Sequence, residues 1–96
     1  MKAYNVVRFR VKAGQDAKFI DMHKNFPREP GMEDVALIKT GERSYCLIGK
    51  WSNFEAIAAA RPNMIRILDG FRDLLEDLGG GLGVTDPVSG PVVAEI

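Results

Sequence analysis

The apolar residues of this chain repeat with two different periods, and the order of these periods limits the possible folds more than any other feature. Residues 3–11 alternate between two faces, as in a β-strand. Residues 15–26 repeat at helical spacing, and this helix must end before Pro27. Two further strand-like runs, 35–40 and 44–51, are separated by a short connection, which predicts a hairpin.

A second helix is predicted to follow Trp51 directly and to end at Leu78, where a run of glycines stops it. Ser52 begins a capping-box pattern, and Asn53 is the alternative cap. Pro62 is expected to restart or kink the helix, because proline is best tolerated in a first helical turn. The helix has one apolar stripe opposite a charged face, so it should pack on a sheet.

The tail is predicted to supply the last strand. Residues 84–96 are rich in β-type side chains, and the segment 86–90 is expected to form a turn within them. The order β-α-β-β-α-β predicts an α+β, ferredoxin-like fold, an antiparallel four-stranded sheet with both helices on one face. The other face carries Tyr4, Val6 and Ile48, so it is too apolar to stay in water. We expect a homodimer to cover it, since a twofold axis needs only one self-complementary patch.

Composition excludes several classes of function. Ninety-six residues suffice for one domain, spanning 1–96. Thirteen basic and thirteen acidic residues balance, so we expect neither a nucleic acid partner nor a membrane surface. No apolar run could span a membrane, and the first residues do not resemble a signal peptide. With the single cysteine Cys46 and no clustered ligands, we expect a cytoplasmic protein without disulfide or metal.

The same order of elements occurs in RNA-recognition modules, which place aromatic and basic residues on the exposed face of the sheet. The third strand of those modules carries a Gly-aromatic-x-aromatic core. Residues 44–50 of this chain lack that core. RNA binding is not expected.

The segment that begins at Trp51 resembles a known family. Trp51-Ser52-Asn53-Phe54-Glu55-Ala56-Ile57-Ala58-Ala59 is similar to the tryptophan, Glu-Ala-Leu signature of the antibiotic biosynthesis monooxygenase-like group. Residues 10–14 with Phe19, Pro30-Gly31 and residues 81–85 also match that group. The resemblance implies a dimeric α/β barrel with a pocket between sheet and helices in each subunit. Studied members include cofactor-independent oxygenases of aromatic polyketides and quinols, and haem-degrading oxygenases.

One departure from the family concerns the cofactor. Haem-degrading relatives use a histidine of the second helix as the iron ligand, whereas this chain has Ala60-Arg61-Pro62 in that region. No histidine follows His23. The resemblance thus implies chemistry without haem, and we expect no cofactor.

The candidate catalytic residues are His23, Trp51 and Asn5. His23, the only histidine, could move a proton to or from a phenol, or it could be a core histidine bonded to a backbone carbonyl. Trp51 could stack on a flat ligand and donate its indole N–H to an oxyanion, or it could pin strand to helix. Asn5 is either a ligand contact or part of a strand-end hydrogen bond.

Four further residues are candidates for substrate binding, in a pocket predicted between the sheet and the helices. Each has an ordinary alternative, since a pocket wall is hard to distinguish from core and a helix-end arginine is usually solvated. These candidates are Phe19, Tyr45, Arg61 and Met64.

Two functions fit this set of residues. The leading hypothesis is a cofactor-independent monooxygenase that acts on a flat phenol, quinol or polyketide-like substrate. The alternative is a non-catalytic dimeric barrel that binds a small aromatic or hydrophobic molecule.

Overall fold

The computed structural model describes residues 1–96 and contains one sheet, two α-helices and a short 3₁₀ turn. The strands pair antiparallel in the order β2-β3-β1-β4, which confirms the predicted ferredoxin-like α+β fold. In chain order the elements are β1 (Ala3–Arg10), α1 (Asp16–Lys24), β2 (Met32–Gly41), β3 (Ser44–Trp51), α2 (Phe54–Asp69), the 3₁₀ turn (Arg72–Leu74) and β4 (Asp86–Pro91).

Alternation along β1 determines which side chains meet the helices. Ala3 and Phe9 are buried, whereas Tyr4 and Arg8 are exposed. Residues paired in register point to the same side of a sheet, so the pairing of Phe9 with Tyr45 extends this division to β3. We call the side that carries α1 and α2 the inner face, and the opposite side the outer face.

The start of α2 is capped by Asn53, the second of the two predicted caps. Its side-chain Oδ1 accepts a hydrogen bond of 2.8 Å from the Ala56 N–H. Pro62 lies within α2, and the helix continues through it to Asp69. Neither α1 nor α2 is long and apolar enough to cross a membrane.

Both helices are shorter than predicted. α1 ends at Lys24, which leaves Phe26 in the following loop. The prediction that α2 reaches Leu78 is wrong, although Leu74 and Leu75 beyond it are buried. The chain there turns back beside the end of β1 and forms hydrogen bonds to its backbone. The spacing of these apolar residues suits such a turn as well as it suits a helix, so periodicity could not distinguish them.

β4 occupies the segment that the sequence assigned to a turn, so the prediction of a turn at 86–90 is wrong. The N–H of Val92 donates to the carbonyl of Lys2 at 2.7 Å. Because N–H groups alternate in direction along a strand, every second N–H of β4, counted back from Val92, also points toward β1. Pro87 and Pro91 lie at the intervening positions, so the N–H that each lacks would have faced the open edge. Proline is compatible with an edge strand in this register, and it also blocks strand addition there.

The side chains of the inner face form two separate packed clusters. The first cluster lies against α1 and the 3₁₀ turn, and the second lies against the first half of α2. The buried members of the first cluster are Phe9, Val11, Phe19, Tyr45, Phe71, Leu74 and Leu75. Those of the second cluster are Ala3, Trp51, Ile57 and Ala60.

Candidate functional site

The inner face is open between the two clusters. Val7 and Leu47 pair with each other on the two central strands, yet both are only half-buried. β1 and β3 each have a neighbouring strand on both sides. The exposed part of the Val7 and Leu47 side chains must therefore face the inner side. Asn5 and Leu37 continue this half-buried strip along the same face. We call the strip, with the clusters that close its two ends, the cleft.

His23 on α1 packs among the aromatic rings of the first cluster, which closes this end of the cleft. Its Nδ1 lies 2.9 Å from the carbonyl oxygen of Phe19, one turn earlier. A carbonyl oxygen can only accept, so Nδ1 carries the hydrogen and Nε2 presents a lone pair. That Nε2 is buried without a hydrogen-bond partner. The imidazole lies among aromatic rings whose centroids are 4.4 to 5.9 Å away, those of Phe9, Phe19, Phe26 and Phe71.

These surroundings keep His23 uncharged. Burial lowers the pKa of the imidazole from its ordinary value of 6.5, and the hydrogen bond to the Phe19 carbonyl opposes this effect without overcoming it. At neutral pH the ring is therefore a neutral base with one free lone pair. This is the protonation state that a general base requires.

Trp51 lies at the other end of the cleft, where it is 1% exposed. Its indole N–H is buried and has no acceptor. The ring folds back over Gly49, because a β-carbon added to that residue would lie 3.0 Å from Nε1. An unpartnered buried donor costs on the order of 1–3 kcal/mol, so its presence calls for an explanation.

Three further donors, those of Asn5, Ser89 and Arg61, lie near this end of the cleft. Asn5 pairs with Gly49 on β3 and with Ser89 on β4, so all three share the inner face. The side-chain amide of Asn5 has no hydrogen-bond partner within the chain and, unlike the Trp51 indole N–H, is accessible to solvent. The Ser89 hydroxyl lies 3.5 Å from Nη2 of Arg61 on α2. Polar groups from β1, β4 and α2 thus meet at one place.

The remaining candidates are divided between the two ends. Phe19 and Tyr45 are buried in the first cluster, and the Tyr45 hydroxyl donates to the Asp16 carboxylate at 2.6 Å. This bond raises the pKa of Tyr45 and ties β3 to the start of α1. Met64 is half-buried and packs against the second cluster. The catalytic candidates therefore lie at opposite ends of the strip, His23 within the first cluster and Trp51 within the second, and do not meet at a single point.

Three residues of this site were not predicted. Gly49 provides the space for the Trp51 indole, Phe71 contacts His23 from beyond α2, and Ser89 lies on β4. Ser89 could be found only by recognising β4, whose two prolines concealed the strand. The role of Gly49 depends on how the Trp51 side chain is oriented, which no sequence pattern gives.

The outer face carries a shallow depression bordered by Tyr4, Val6 and Val88. Another lies between the first two residues and residues 92–95. Neither depression includes a candidate catalytic residue. No three His, Cys, Asp or Glu side chains gather into a group that could hold a metal ion.

Solved structures share this fold over almost the whole chain. SnoaB, a cofactor-independent oxygenase from Streptomyces nogalater, matches with a TM-score of 0.68 and 20% identity, covering 99% of this chain and 96% of SnoaB. A monooxygenase from the ActVA-Orf6 gene of Streptomyces coelicolor, in complex with nanaomycin D, matches with a TM-score of 0.71 and 16% identity, covering 98% and 89%. A variant of MhuD that holds two manganese protoporphyrin IX molecules per active site matches with a TM-score of 0.67 and 19% identity. The match covers 98% of this chain and 97% of MhuD.

These matches confirm, for the fold, the resemblance that the residues around Trp51 indicated. Other matched structures are provisionally assigned to the antibiotic biosynthesis monooxygenases. No protein-family model and no curated protein matches the sequence. Because the identities are low, the matches establish the architecture, and the chemistry must be argued from the site.

Proposed function

We propose that this protein is a monooxygenase that oxidises flat phenols or quinols of two or three fused rings with dioxygen and without a cofactor. The observation that carries the proposal is the pair of buried, unpartnered polar atoms at opposite ends of one apolar cleft. One is the acceptor His23 Nε2, and the other is the donor Trp51 Nε1. The activities given for SnoaB and the ActVA-Orf6 enzyme support it.

His23 acts as the general base. Its lone pair takes the proton of a substrate hydroxyl at the first-cluster end of the cleft, and the Phe19 carbonyl stabilises the imidazolium through Nδ1–H. Phe26 belongs to the loop after α1 and is half-buried beside the imidazole. Because Nε2 is buried, Phe26 must move aside when substrate enters. The remaining phenyl rings exclude water from the proton transfer.

The oxidation itself is carried out by the deprotonated substrate. The phenolate transfers one electron to dioxygen, and the resulting radical and superoxide combine into a peroxide at a ring carbon that bears hydrogen. The O–O bond then breaks, that carbon loses its proton, and a second carbonyl forms. Phenol and dioxygen thus give quinone and water. Trp51 donates its N–H to the oxygen at the far end of the fused rings, which holds the ring system in place during the reaction.

The length of the cleft determines the size of the substrate. His23 packs on Phe9 and the Trp51 indole lies over Gly49, which is opposite Asn5. Four residues of β1 separate these positions, about 13 Å at 3.3 Å per residue. A ligand that reaches both side chains must span much of that distance. That separation exceeds the width of one benzene ring, so the two substrate oxygens lie on different rings of a fused system.

We further propose that the domain, residues 1–96, works as a homodimer joined through its outer faces. Exposed apolar side chains there include Tyr4, Ile38 and Val88, which are 41%, 42% and 62% exposed. Pro87 and Pro91 block strand addition at the β4 edge, which favours contact through the face.

Sedimentation tests the dimer. Val88→Glu should convert it to a folded monomer, because the charge enters the apolar outer face. Ile65→Glu is the matched control, since Ile65 is 52% exposed on α2, away from that face, and this variant should remain dimeric. A folded wild-type monomer at micromolar concentration would refute the dimer.

Dioxygen consumption in the dark with 1,5-dihydroxynaphthalene tests the reaction. The proposal predicts protein-dependent uptake of one dioxygen per 5-hydroxy-1,4-naphthoquinone formed, unaffected by chelators. Binding of this diol and of other fused-ring phenols without any uptake would instead establish the alternative, a barrel that only binds ligands. Single-ring quinols should react more slowly, because they cannot reach both ends of the cleft.

A further inference from the structure

We infer that the Trp51 end of the cleft binds a carboxylate on the substrate through Arg61, Ser89 and Asn5. This inference rests on the proposed function and specifies its substrate class: a fused-ring phenol that carries a carboxylate next to the oxygen bound by Trp51.

Arg61 carries a charge that no carboxylate of the chain neutralises. The guanidinium groups of Arg8, Arg43 and Arg72 each pair with a carboxylate. Arg61 has no such partner, as is true of three other arginines of the chain, and its only hydrogen bond is the long contact to the neutral Ser89 hydroxyl. Its helical neighbours three and four residues away are all apolar, namely Ile57, Ala58, Met64 and Ile65. The positive charge is therefore available to a ligand.

Hydrogen-bond donors outnumber acceptors at this end of the cleft. The Asn5 side-chain amide has no acceptor within the chain, and the Ser89 hydroxyl, which pairs across from it on β4, can donate as well. No carboxylate of the chain forms a hydrogen bond with any of these side chains. A ligand carboxylate supplies several lone pairs and a negative charge, and charge-assisted bonds are about twice as strong as neutral ones. One such group would satisfy donors from three elements.

The two ends of the cleft then require different parts of one ligand. The hydroxyl to be deprotonated goes to the apolar His23 end, where a charged group would be costly. The carboxylate goes to the Arg61 end, which is open to water because Arg61 itself is exposed. Solvent weakens the interaction there, so we expect the carboxylate to increase affinity by about tenfold, as for an exposed charge-assisted bond.

Calorimetric titration without oxygen tests this inference, because it measures binding alone. The matched probes are 1,5-dihydroxy-2-naphthoic acid and 1,5-dihydroxynaphthalene, which differ only in the carboxylate. The wild type should bind the acid about tenfold more tightly than the diol. Arg61→Gln should abolish that preference by weakening binding of the acid, whereas Ser89→Ala should reduce the preference about threefold. Arg66→Gln is the matched control on α2, since Arg66 bonds Asn63 instead, and it should retain the full preference.

The outcomes separate this inference from the proposed function. Equal affinity of the wild type for both probes, or an unchanged preference in Arg61→Gln, overturns the carboxylate site and leaves the aromatic cleft intact. If neither probe binds and no other fused-ring phenol does, the proposed function fails, and the carboxylate site fails with it. A preference lost equally in Arg61→Gln and Arg66→Gln indicates general surface charge and also overturns the site.

Discussion

The two ends of the cleft present opposite hydrogen-bonding groups in opposite surroundings. At the first-cluster end, His23 offers a lone pair among phenyl rings, with its other nitrogen bound to a backbone carbonyl. At the second-cluster end, Trp51 offers an N–H beside an amide, a hydroxyl and a guanidinium. The first end is dry and uncharged, whereas the second is polar and carries positive charge.

This difference indicates how a small protein can prepare a reaction without a bound cofactor. A base must stay unprotonated at neutral pH, which apolar surroundings achieve by lowering its pKa. A group that stabilises negative charge needs fixed donors, which polar surroundings provide. Placing both in one pocket would let each disturb the other, so their separation along β1 has a chemical advantage.

The largest effect is expected from removing the base. His23→Ala should lower kcat by about 10²–10⁴-fold, because the hydroxyl proton then has no positioned acceptor. Added imidazole should restore part of the activity by entering the space left by the side chain. Val84→Ala is the control, since Val84 packs on the same first cluster without a polar role and should retain activity. An unaffected kcat in His23→Ala would show that the first end is merely core.

The second-largest effect concerns the space beside Gly49 that the Trp51 indole occupies. Gly49→Ala should destabilise the fold by about 1–3 kcal/mol, because its β-carbon would force Trp51 to move. Gly41→Ala is the matched control, since its β-carbon would meet Ser44 at an ordinary 3.7 Å. Urea unfolding of both variants checks this. Equal stability of the two variants would mean that the indole is not held over Gly49.

A smaller effect is expected from replacing the indole by a phenyl ring, which removes the N–H together with part of the ring system. Trp51→Phe should weaken binding of 1,5-dihydroxynaphthalene by about 3- to 10-fold, the worth of one hydrogen bond, with the stacking surface largely retained. Titration of the variant measures this. An unchanged affinity together with an unchanged kcat would assign Trp51 to packing alone.

The smallest effect concerns pH and stability. The pKa of His23 is lower in the folded chain than its ordinary 6.5, so the unfolded chain takes up a proton first as the pH falls. His23 therefore contributes stability above pH 6.5, and part of it is lost as the pH drops toward the folded-state pKa. Between pH 7 and pH 5 the wild type should lose more unfolding free energy than His23→Phe. Parallel losses in urea unfolding would contradict this.

The order of the elements and the inner-face alternation could be predicted from the sequence, because both depend on local periodicity. Residues 3–11 and 44–51 show this well, and their pairing brings Asn5 and Trp51 to one face. Periodicity could not show where the chain leaves a helix, so Phe71 was assigned to α2. It also could not show the direction of the N–H groups in β4, on which the interpretation of Pro87 and Pro91 depends.

The sequence identifies the residues of the candidate site better than it predicts how they are arranged. His23 and Trp51 differ from their neighbours in chemistry, so they could be identified from residue type alone. Their separation depends on side-chain packing. Phe71 and the other phenyl rings surround His23, and Gly49 leaves the space that the Trp51 indole occupies. Such packing involves residues distant in sequence, and a single sequence does not encode it in any local pattern.

The most direct test of the account is turnover of 1,5-dihydroxynaphthalene under ¹⁸O₂, followed by mass spectrometry of the product. We predict 5-hydroxy-1,4-naphthoquinone with one labelled oxygen, formed by the wild type at least about 10²-fold faster than by His23→Ala. An unlabelled product, or a rate that is the same with wild type, with His23→Ala and without protein, would contradict the claim that this cleft catalyses a monooxygenation.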